Sequence, residues 1–338
     1  MILINPVQEK PIEFLDKTLF NTTSDTQLND IMRAAEAHKR IRGNLQKILK
    51  PGCSVREIIK YVEDSTRIML HGEKNNGIGF PCGVSLNNVA AHFSLNPWNE
   101  DIILTKNDVL KIDFGTHSNG RIVDSAFSVS FDEKYTNLLL ATKEATERGI
   151  KVIGIDMAVC EIGKEISEVF KSFEFEENGK MINIKPIWNL NGHSIDQYKI
   201  HAGISIPSIN NGDYSRITPG FFAIETFAST GIGEIKDYGE CSHFALASRP
   251  TTNKIYDKKN EEILNLIKKE FGTLPFSHQH LLYYTQNAKA AVQLLAARKF
   301  IDSYPPLVDI PKSYVAQFEH TLYITEKSKF NISKGDDY

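Results

Sequence analysis

The chain has few cysteines, and they are scattered along the sequence. Its 338 residues contain four cysteines and no CxxC motif. A disulfide framework or a zinc ribbon needs paired cysteines, so the sequence argues against both. No apolar run approaches the ~18 residues that a membrane span requires, and the opening residues MILINPVQEK lack the basic and apolar regions of a secretory signal. We therefore expect a cytoplasmic protein that makes no membrane contact.

The sequence also lacks a strong excess of charge of either sign. The formal net charge is -3, which gives no reason to expect direct binding of nucleic acid or of an anionic membrane. Gly/Ser linkers and low-complexity segments are missing as well. We therefore predict a short irregular lead-in at 1–25 and a single catalytic domain at 26–338, and we expect a monomer.

Two helices are predicted near the start of the chain. Periodic apolar residues predict a helix over about 26–50, with Ser24 at its start. Pro51 follows this helix and favours its end there. A second helix begins after Ser54, which has a glutamate three residues later, and it ends near Leu70.

Extended segments follow the two helices, and the order of two helices followed by strands then recurs along the chain. The residues 118–120, Ser-Asn-Gly, predict a tight hairpin turn between strands at 109–115 and 121–131. Two more helices and three further strands are predicted at about 133–149, 157–172, 189–206, 221–227 and 314–324. A helix pair followed by strands, twice, predicts an α/β fold with two related halves.

A strongly helical segment separates the last two predicted strands. Residues 258–300 include the amphipathic run EEILNLIKKEF, whose apolar positions have helical spacing. We predict that this segment is a helical insertion on the main body, at about 247–303.

Four acidic residues lie within otherwise apolar strands: Asp113 in VLKIDFG, Asp124 in RIVDSAFSV, Glu225 in FFAIETF and Glu319 in VAQFEHTLY. Because strand side chains alternate, Asp113, Asp124 and Glu319 each lie on the more polar face of their strand. One interpretation is that these faces are solvated, since unpaired carboxylates are seldom fully buried. The other is that the polar faces converge on one site while helices cover the apolar faces.

Convergence of four carboxylates would require cations. Each pair about 4 Å apart costs roughly 4 kcal/mol at an effective dielectric near 20, and bound divalent cations turn this repulsion into ligation. Oxygen-rich ligation with at most one imidazole suits manganese, iron(II) or cobalt better than a structural zinc. Two such ions can polarise a carbonyl and generate hydroxide from a bridging water.

Histidines lie in segments that would complete such a site: His92 in NNVAAHFSLNP, His193 and His201 in NLNGHSIDQYKIHAG, and His243 in ECSHFAL. If the second segment is extended, the spacing of eight places His193 and His201 on the same strand face. His92 has small and polar neighbours, so we expect its ring to be reachable from the site. A lone histidine is more often structural than catalytic.

The motifs KIDFGTHSNGRIVDSAF, LNGHSIDQYKIHAG, FAIETFASTG and AQFEHT follow one another in this order. Together they resemble type 2 methionine aminopeptidases, and the resemblance runs from about Arg33 to the terminal GDDY. It implies the pita-bread α/β fold, with two pseudo-symmetric halves and a helical insertion typical of type 2. It also implies removal of the initiator methionine from nascent proteins and peptides whose second residue is small.

The resemblance implies two divalent metal ions per chain, with manganese, cobalt, iron and zinc as candidates. Asp113 would chelate one ion, His193 and Glu225 would hold the other, and Asp124 and Glu319 would bridge them. A metal-bridging hydroxide would attack the scissile carbonyl, and Glu225 would pass the proton towards the leaving amine.

The same resemblance implies roles for residues around the metals. His201 would contact the scissile carbonyl and stabilise the oxyanion-like intermediate. His92 would lie by the substrate amino group and the leaving amide, where fumagillin-type epoxides modify the matching histidine. The methionine side chain would be bound in a pocket shaped by Phe80, Gly83, Ile200, His243 and Tyr304.

Sequence spacing favours type 2 over type 1. Glu225 and Glu319 are 94 residues apart (319 − 225), whereas the last two acids of type 1 enzymes lie close together. The chain departs from many eukaryotic members in lacking long lysine-rich and acidic tracts near its start. Proximity to ribosomes therefore remains an expectation from the resemblance alone.

Two other functions remain open at this point. Prolidases and aminopeptidases P share the fold and the Asp-Asp-His-Glu-Glu set, so the ligands alone do not exclude them; the LNGHSI and FGTLPF stretches favour the methionine enzyme. A non-catalytic relative binds RNA and ribosomes on the same scaffold. Such relatives lose metal ligands, whereas this chain keeps all five.

Overall fold

The computed structural model describes residues 26–71, 75–177, 179–249, 251–286 and 288–338. The lead-in predicted at 1–25, with Ser24, lies outside the described residues. The helices are Thr26–Ile48 (α1), Val55–Met69 (α2), Thr136–Val152 (α3), Val159–Phe170 (α4), Lys258–Glu270 (α5), His278–Leu281 (α6) and Lys289–Ala297 (α7). The first seven strands are Asn76–Leu86 (β1), Val89–Ala91 (β2), Val109–Ser118 (β3), Arg121–Ser130 (β4), Glu174–Glu177 (β5), Lys180–Asn183 (β6) and Lys185–Pro186 (β7). The remaining strands are Asn191–Ile195 (β8), Ser205–Pro207 (β9), Gly220–Ser229 (β10), Lys236–Asp237 (β11), His243–Leu246 (β12), Ile301–Tyr304 (β13), Leu307–Val308 (β14), Val315–Ile324 (β15) and Lys329–Asn331 (β16).

The four helices predicted in two pairs are confirmed as α1 to α4. The Ser54 side chain accepts a hydrogen bond from the Glu57 backbone N–H at 3.1 Å, as the capping spacing predicted. Helix α1 packs on β3 and β4, and α2 packs on β1, whereas α3 packs on β10 and β15. Each helix pair therefore covers strands of its own half. None of the described helices is long and apolar enough to cross a lipid bilayer.

Two antiparallel sheets form the centre of the molecule. One has the order β1-β3-β4, and the other has the order β16-β15-β10-β8-β9. Strands β3 and β4 stay in register up to the pair Ser118–Arg121, so their hairpin turn consists of Asn119 and Gly120. Both turn residues have positive φ, 48° and 75°, which is the conformation that Asn-Gly favours in hairpins. The predicted hairpin is confirmed.

Strands β4 and β15 meet where the two sheets adjoin, and side-chain hydroxyls join their backbones. Thr321 Oγ1 accepts the Asp124 N–H at 2.8 Å and donates to the Asp124 carbonyl at 2.6 Å. Ser128 Oγ donates to the Gln317 carbonyl at 2.7 Å and accepts the Gln317 N–H at 2.8 Å. We name these four residues, Asp124, Ser128, Gln317 and Thr321, the hydroxyl seam. Its contacts connect the backbones of the two halves beside two of the predicted metal ligands.

The segment predicted to be helical at 258–300 contains α5, α6 and α7. These helices pack with the antiparallel strand pair β12–β13 around a separate apolar cluster that includes Phe244, Phe276, Leu281 and Val292. The amphipathic pattern of EEILNLIKKEF is confirmed, since Ile263, Leu264 and Ile267 are the buried apolar residues of α5. The division of the chain into a lead-in and one catalytic domain stays a prediction.

Candidate active site

The polar faces of the central strands converge where the two sheets adjoin. Glu225 and Glu319 are direct cross-strand partners on β10 and β15, and Asp113 and Asp124 lie on the β3–β4 hairpin. Asp124 and Glu319 are buried, and Lys111, on the same face as Asp113, is only 1% exposed. The interpretation of solvated outer faces is therefore wrong, because polar residues on these faces are buried.

His193 joins the acidic cluster from β8. Its Nε2 atom lies 3.5 Å from Asp124 Oδ2 and 3.9 Å from Glu225 Oε1. Ligand atoms of Asp124, His193 and Glu319 all lie within 4.8 Å of one another, which is close enough for a shared metal ion. Three predicted ligands thus form one tight group, with Asp113 and Glu225 beside it.

Several oxygens of this cluster are buried without a hydrogen-bond partner: Asp113 Oδ1, Asp124 Oδ1 and both carboxylate oxygens of Glu319. Burial raises the pKa of Asp113 to about 8, with a further contribution from Asp124. Burial also raises the pKa of Asp124 to about 7 and those of Glu225 and Glu319 well above their usual range. Buried acceptors that lack donors and repel one another fit a divalent-cation site, because cations satisfy both needs.

Gln317 belongs to the cluster, although the sequence analysis did not propose it as a site residue. Its Nε2 donates to Asp113 Oδ2 at 3.0 Å and lies 3.4 Å from Glu225 Oε2. The amide thus links acids of the two halves. Its position two residues before Glu319, on the same strand face, was the sequence signal for it.

His201 reaches the site by a chain reversal and not along a strand. The stretch predicted as one strand at 189–206 breaks after β8, and β9 begins only at Ser205. The chain turns back at Tyr198, whose backbone has φ of 54° and whose N–H donates to the Gly120 carbonyl at 2.8 Å. The predicted shared strand face is therefore wrong, because contact with the β3–β4 hairpin stabilises a turn. The rings of His193 and His201 still meet edge-on, with centroids 4.3 Å apart.

His92 follows the short strand β2 and lines the cavity, so its predicted accessibility from the site is confirmed. Its backbone has φ of 62°, and its ring lies edge-on to Tyr304, with centroids 5.9 Å apart. Burial lowers the pKa of His92 to about 4, so the imidazole is neutral near pH 7. Its Nδ1 atom has no hydrogen-bond partner.

A single cavity brings the predicted site residues together. Its lining includes all of them: Phe80, Gly83, His92, Asp113, Asp124, His193, Ile200, His201, Glu225, His243, Tyr304 and Glu319. Residues that the sequence analysis did not propose complete the lining: Pro81, Ala91, Leu190, Asn191, Phe227 and Pro275. Most of these are apolar and carry no pattern that separates a pocket residue from a core residue.

The apolar wall of the cavity comes from separate parts of the chain. The Phe80 ring lies over Gly115 of β3, where a Cβ atom would overlap it. His243 and Tyr304 are cross-strand partners on β12 and β13, the paired strands at the two ends of the helical insertion. The cavity therefore has an acidic floor and an apolar wall.

Known proteins match this chain along most of its length. Residues 29–326 match the model of metallopeptidase family M24. Methionine aminopeptidase 2 of Encephalitozoon hellem is 51% identical over 356 residues, an alignment that covers 100% of this chain and 99% of that protein. A thermophilic Arx1 structure has a TM-score of 0.76 at 18% identity, covering 94% of this chain and 93% of that one. Methionine aminopeptidase from Thermotoga maritima has a TM-score of 0.61 at 16% identity, covering 93% and 98%. At these identities the two structures show the fold alone.

Proposed function

This chain belongs to metallopeptidase family M24, among its type 2 methionine aminopeptidases, and we propose that the acidic floor of its cavity is the dinuclear metal centre of this activity. The chain is an enzyme that removes N-terminal methionine from peptides. Its pita-bread fold is that of the family. One observation carries the proposal: carboxylates from both halves converge with His193, and several of their buried oxygens lack any donor.

The rival functions are not favoured. Full-length identity of 51% links the chain to a methionine aminopeptidase 2 and not to a prolidase. The five proposed ligands are all present, unlike in non-catalytic relatives.

Five side chains would hold the ions of the proposed centre: Asp113, Asp124, His193, Glu225 and Glu319. The ions, when bound, supply Lewis acidity to a water molecule and to the scissile carbonyl. Four carboxylates and one imidazole favour manganese, iron(II) or cobalt, with zinc as the remaining candidate. The family's use of divalent metal agrees with this donor set.

The surrounding side chains bind the substrate and move protons. Glu225 accepts a proton from the attacking water and delivers it to the leaving amine. His201 donates an N–H to the oxygen of the scissile carbonyl as negative charge develops there. His92 lies by the substrate amino group, and Gln317 keeps the carboxylates of Asp113 and Glu225 in their orientations.

The apolar wall binds the methionine side chain. An unbranched thioether adapts to an irregular apolar pocket, and here that pocket is lined by aromatic rings and an aliphatic side chain. In the proposed substrates, which include nascent chains, the second residue is small. The wall residues are Phe80, Gly83, Ile200, His243 and Tyr304.

Metal analysis paired with activity tests this proposal. Protein purified without added ions should contain two divalent ions per chain, lose cleavage of a Met-Ala peptide after chelation, and regain it with manganese or cobalt. Full activity in metal-stripped protein would contradict the metal centre.

Peptide selectivity provides a second test. Met-Gly, Met-Ala and Met-Thr peptides should be cleaved much faster than Met-Leu or Met-Lys peptides. A preference for X-Pro bonds whatever the first residue would instead place the activity with the prolidases.

A further inference from the structure

One part of the apolar wall lies on a segment of β1 that is not in regular pairing with the neighbouring strand β3. Strand β1 pairs with β3 at Phe80–Gly115 and again at Gly83–Asp113, and the register shifts between these two pairs. Pro81 and Cys82 lie within this bulge, and proline has no N–H to give to a ladder. Other contacts must therefore fix the Pro81–Cys82 peptide group.

Both polar atoms of this peptide group are held by side chains. The Pro81 carbonyl accepts a hydrogen bond from His243 Nε2 at 3.3 Å, and the Cys82 N–H donates to Glu63 Oε1 at 3.3 Å. A peptide unit is planar, so contacts at its two opposite atoms fix its rotation. Its neighbours on either side, Phe80 and Gly83, line the cavity.

Glu63 lies on α2, outside the lining of the cavity, and is 3% exposed. The same Oε1 atom lies 2.8 Å from Nε2 of His280, which α6 of the helical insertion supplies. Arg67 Nη2 lies 3.4 Å from the other oxygen. Burial alone would raise the pKa of Glu63, but His280 and Arg67 outweigh it and lower that pKa to about 2. Glu63 therefore stays an ionised acceptor for the Cys82 N–H.

This arrangement favours a positioning role over a stabilising one. A buried ion pair contributes little net stability compared with apolar side chains of similar size, because both groups lose their hydration. Its contacts do fix the orientation of the Glu63 carboxylate, since the Oε1 atom must face both His280 and the Cys82 N–H. The bulge is thus held from two places: directly by His243 on β12, next to the insertion, and by His280 of the insertion by way of Glu63.

We propose that Glu63 and His280 are a positioning pair, which holds the Pro81–Cys82 peptide and so sets the shape of the pocket that selects the first side chain of the substrate. The proposal rests on the proposed function, in which Phe80 and Gly83 shape the methionine pocket. Neither residue of the pair lines the cavity. Loss of the pair should therefore change substrate binding and selectivity, and leave the chemical step in place.

The test compares kcat and KM of the metal-loaded full-length enzyme for Met-Ala-Ser and Leu-Ala-Ser peptides. In Glu63→Ala, KM for the methionine peptide should rise roughly tenfold while kcat stays within about twofold, the scale on which a misfit of one methylene changes discrimination. The methionine-to-leucine ratio of kcat/KM should fall by a similar factor. His280→Ala should shift both quantities in the same direction.

Two further variants separate positioning from a general loss of structure. Glu63→Gln retains a carbonyl oxygen for the Cys82 N–H and should restore the selectivity ratio to near the wild-type value. Asp64→Ala is the matched control, because Asp64 is the next residue of α2 and bonds to Lys60 and Arg67 at the surface. It should leave both KM and the ratio within about twofold of wild type.

A loss of kcat/KM that is equal for both peptides, in folded Glu63→Ala or His280→Ala, would overturn the proposal. Failure of both variants to fold would do the same, since the pair would then be a structural element. If instead the wild-type enzyme did not cleave methionine peptides at all, the proposed function itself would fail.

Discussion

The acidic floor and the apolar wall of the cavity are built on different kinds of backbone. The acids of the floor lie in ten-residue strands, and Glu225 and Glu319 face each other in an unbroken ladder. The wall comes from a bulge in β1, from the return loop that carries Ile200 and His201, and from the paired strands β12 and β13, which α5 to α7 separate in the chain. Hydrogen-bonded strands fix ligand positions closely, whereas the wall depends on contacts between distant side chains.

This difference implies that the floor carries the chemical step, whereas the wall selects the substrate. Changes to the floor should remove metal and turnover together. Changes to the wall should alter substrate binding or transition-state contacts while the metal remains. The following predictions test that separation, from the largest effect to the smallest.

Asp124→Asn and Glu319→Gln should lower kcat by at least about a thousandfold, because each removes a negative charge from the proposed metal centre. Bound metal, measured by elemental analysis, should fall in both variants. Asp196→Asn on an exposed turn is a control for the loss of one carboxylate and should keep its metal and its activity. Turnover near the wild-type level in either floor variant would contradict the assignment of metal binding and turnover to the floor.

His201→Ala should lower kcat/KM about a hundredfold, the usual cost of losing one donor to a developing oxyanion. Its metal content should equal that of the wild type, because the floor is unchanged. Steady-state kinetics and metal analysis on the same preparation distinguish the loss of an oxyanion donor from the loss of bound metal. Loss of metal from this variant would show that the loop supports the floor as well as the wall.

Thr321→Val should reduce the free energy of unfolding by about 1–3 kcal/mol, because the Asp124 N–H and carbonyl lose their shared hydroxyl partner at the hydroxyl seam. Valine has nearly the same shape, so packing is preserved. Denaturant unfolding measures the change, with Thr325→Val at an exposed turn as the control. An unaltered stability would mean that the floor strands do not depend on the seam.

The smallest effect concerns the pH dependence of stability at Glu63. Its pKa is depressed from 4.5 to about 2 in the folded protein, so the ionised carboxylate stabilises the fold above pH 4.5. That contribution is lost as pH falls through about 2. The difference in melting temperature between wild type and Glu63→Gln should therefore shrink between pH 4.5 and 2. A difference that stays constant over this window would contradict an ionised Glu63 carboxylate in the folded protein.

The floor was largely predictable from sequence, and the wall was not. Asn119 and Gly120 identified the hairpin, and the alternation around Asp113 and Asp124 identified their shared polar faces. Alternation does not reveal whether such a face meets solvent or a second sheet, so their convergence depended on the family resemblance.

The segments that escaped prediction are those shaped by distant contacts. The reversal at Tyr198 depends on the Gly120 carbonyl, and the bulge at Pro81 depends on Glu63 and His243. No local pattern encodes these partners. A single sequence therefore indicates which residues carry the chemistry better than it indicates the shape of the pocket around them.

The hydroxyl seam also has a consequence for the order of folding. Asp124 and Thr321 are 197 residues apart in the chain, so the seam closes a very long loop. Such closure is entropically costly, and contacts of this range slow folding. Strand β15 brings Glu319 to the floor only when this closure occurs. A partly folded chain can therefore contain the β3–β4 hairpin and still lack a complete ligand set. Metal should therefore bind late in folding and stabilise the assembled fold.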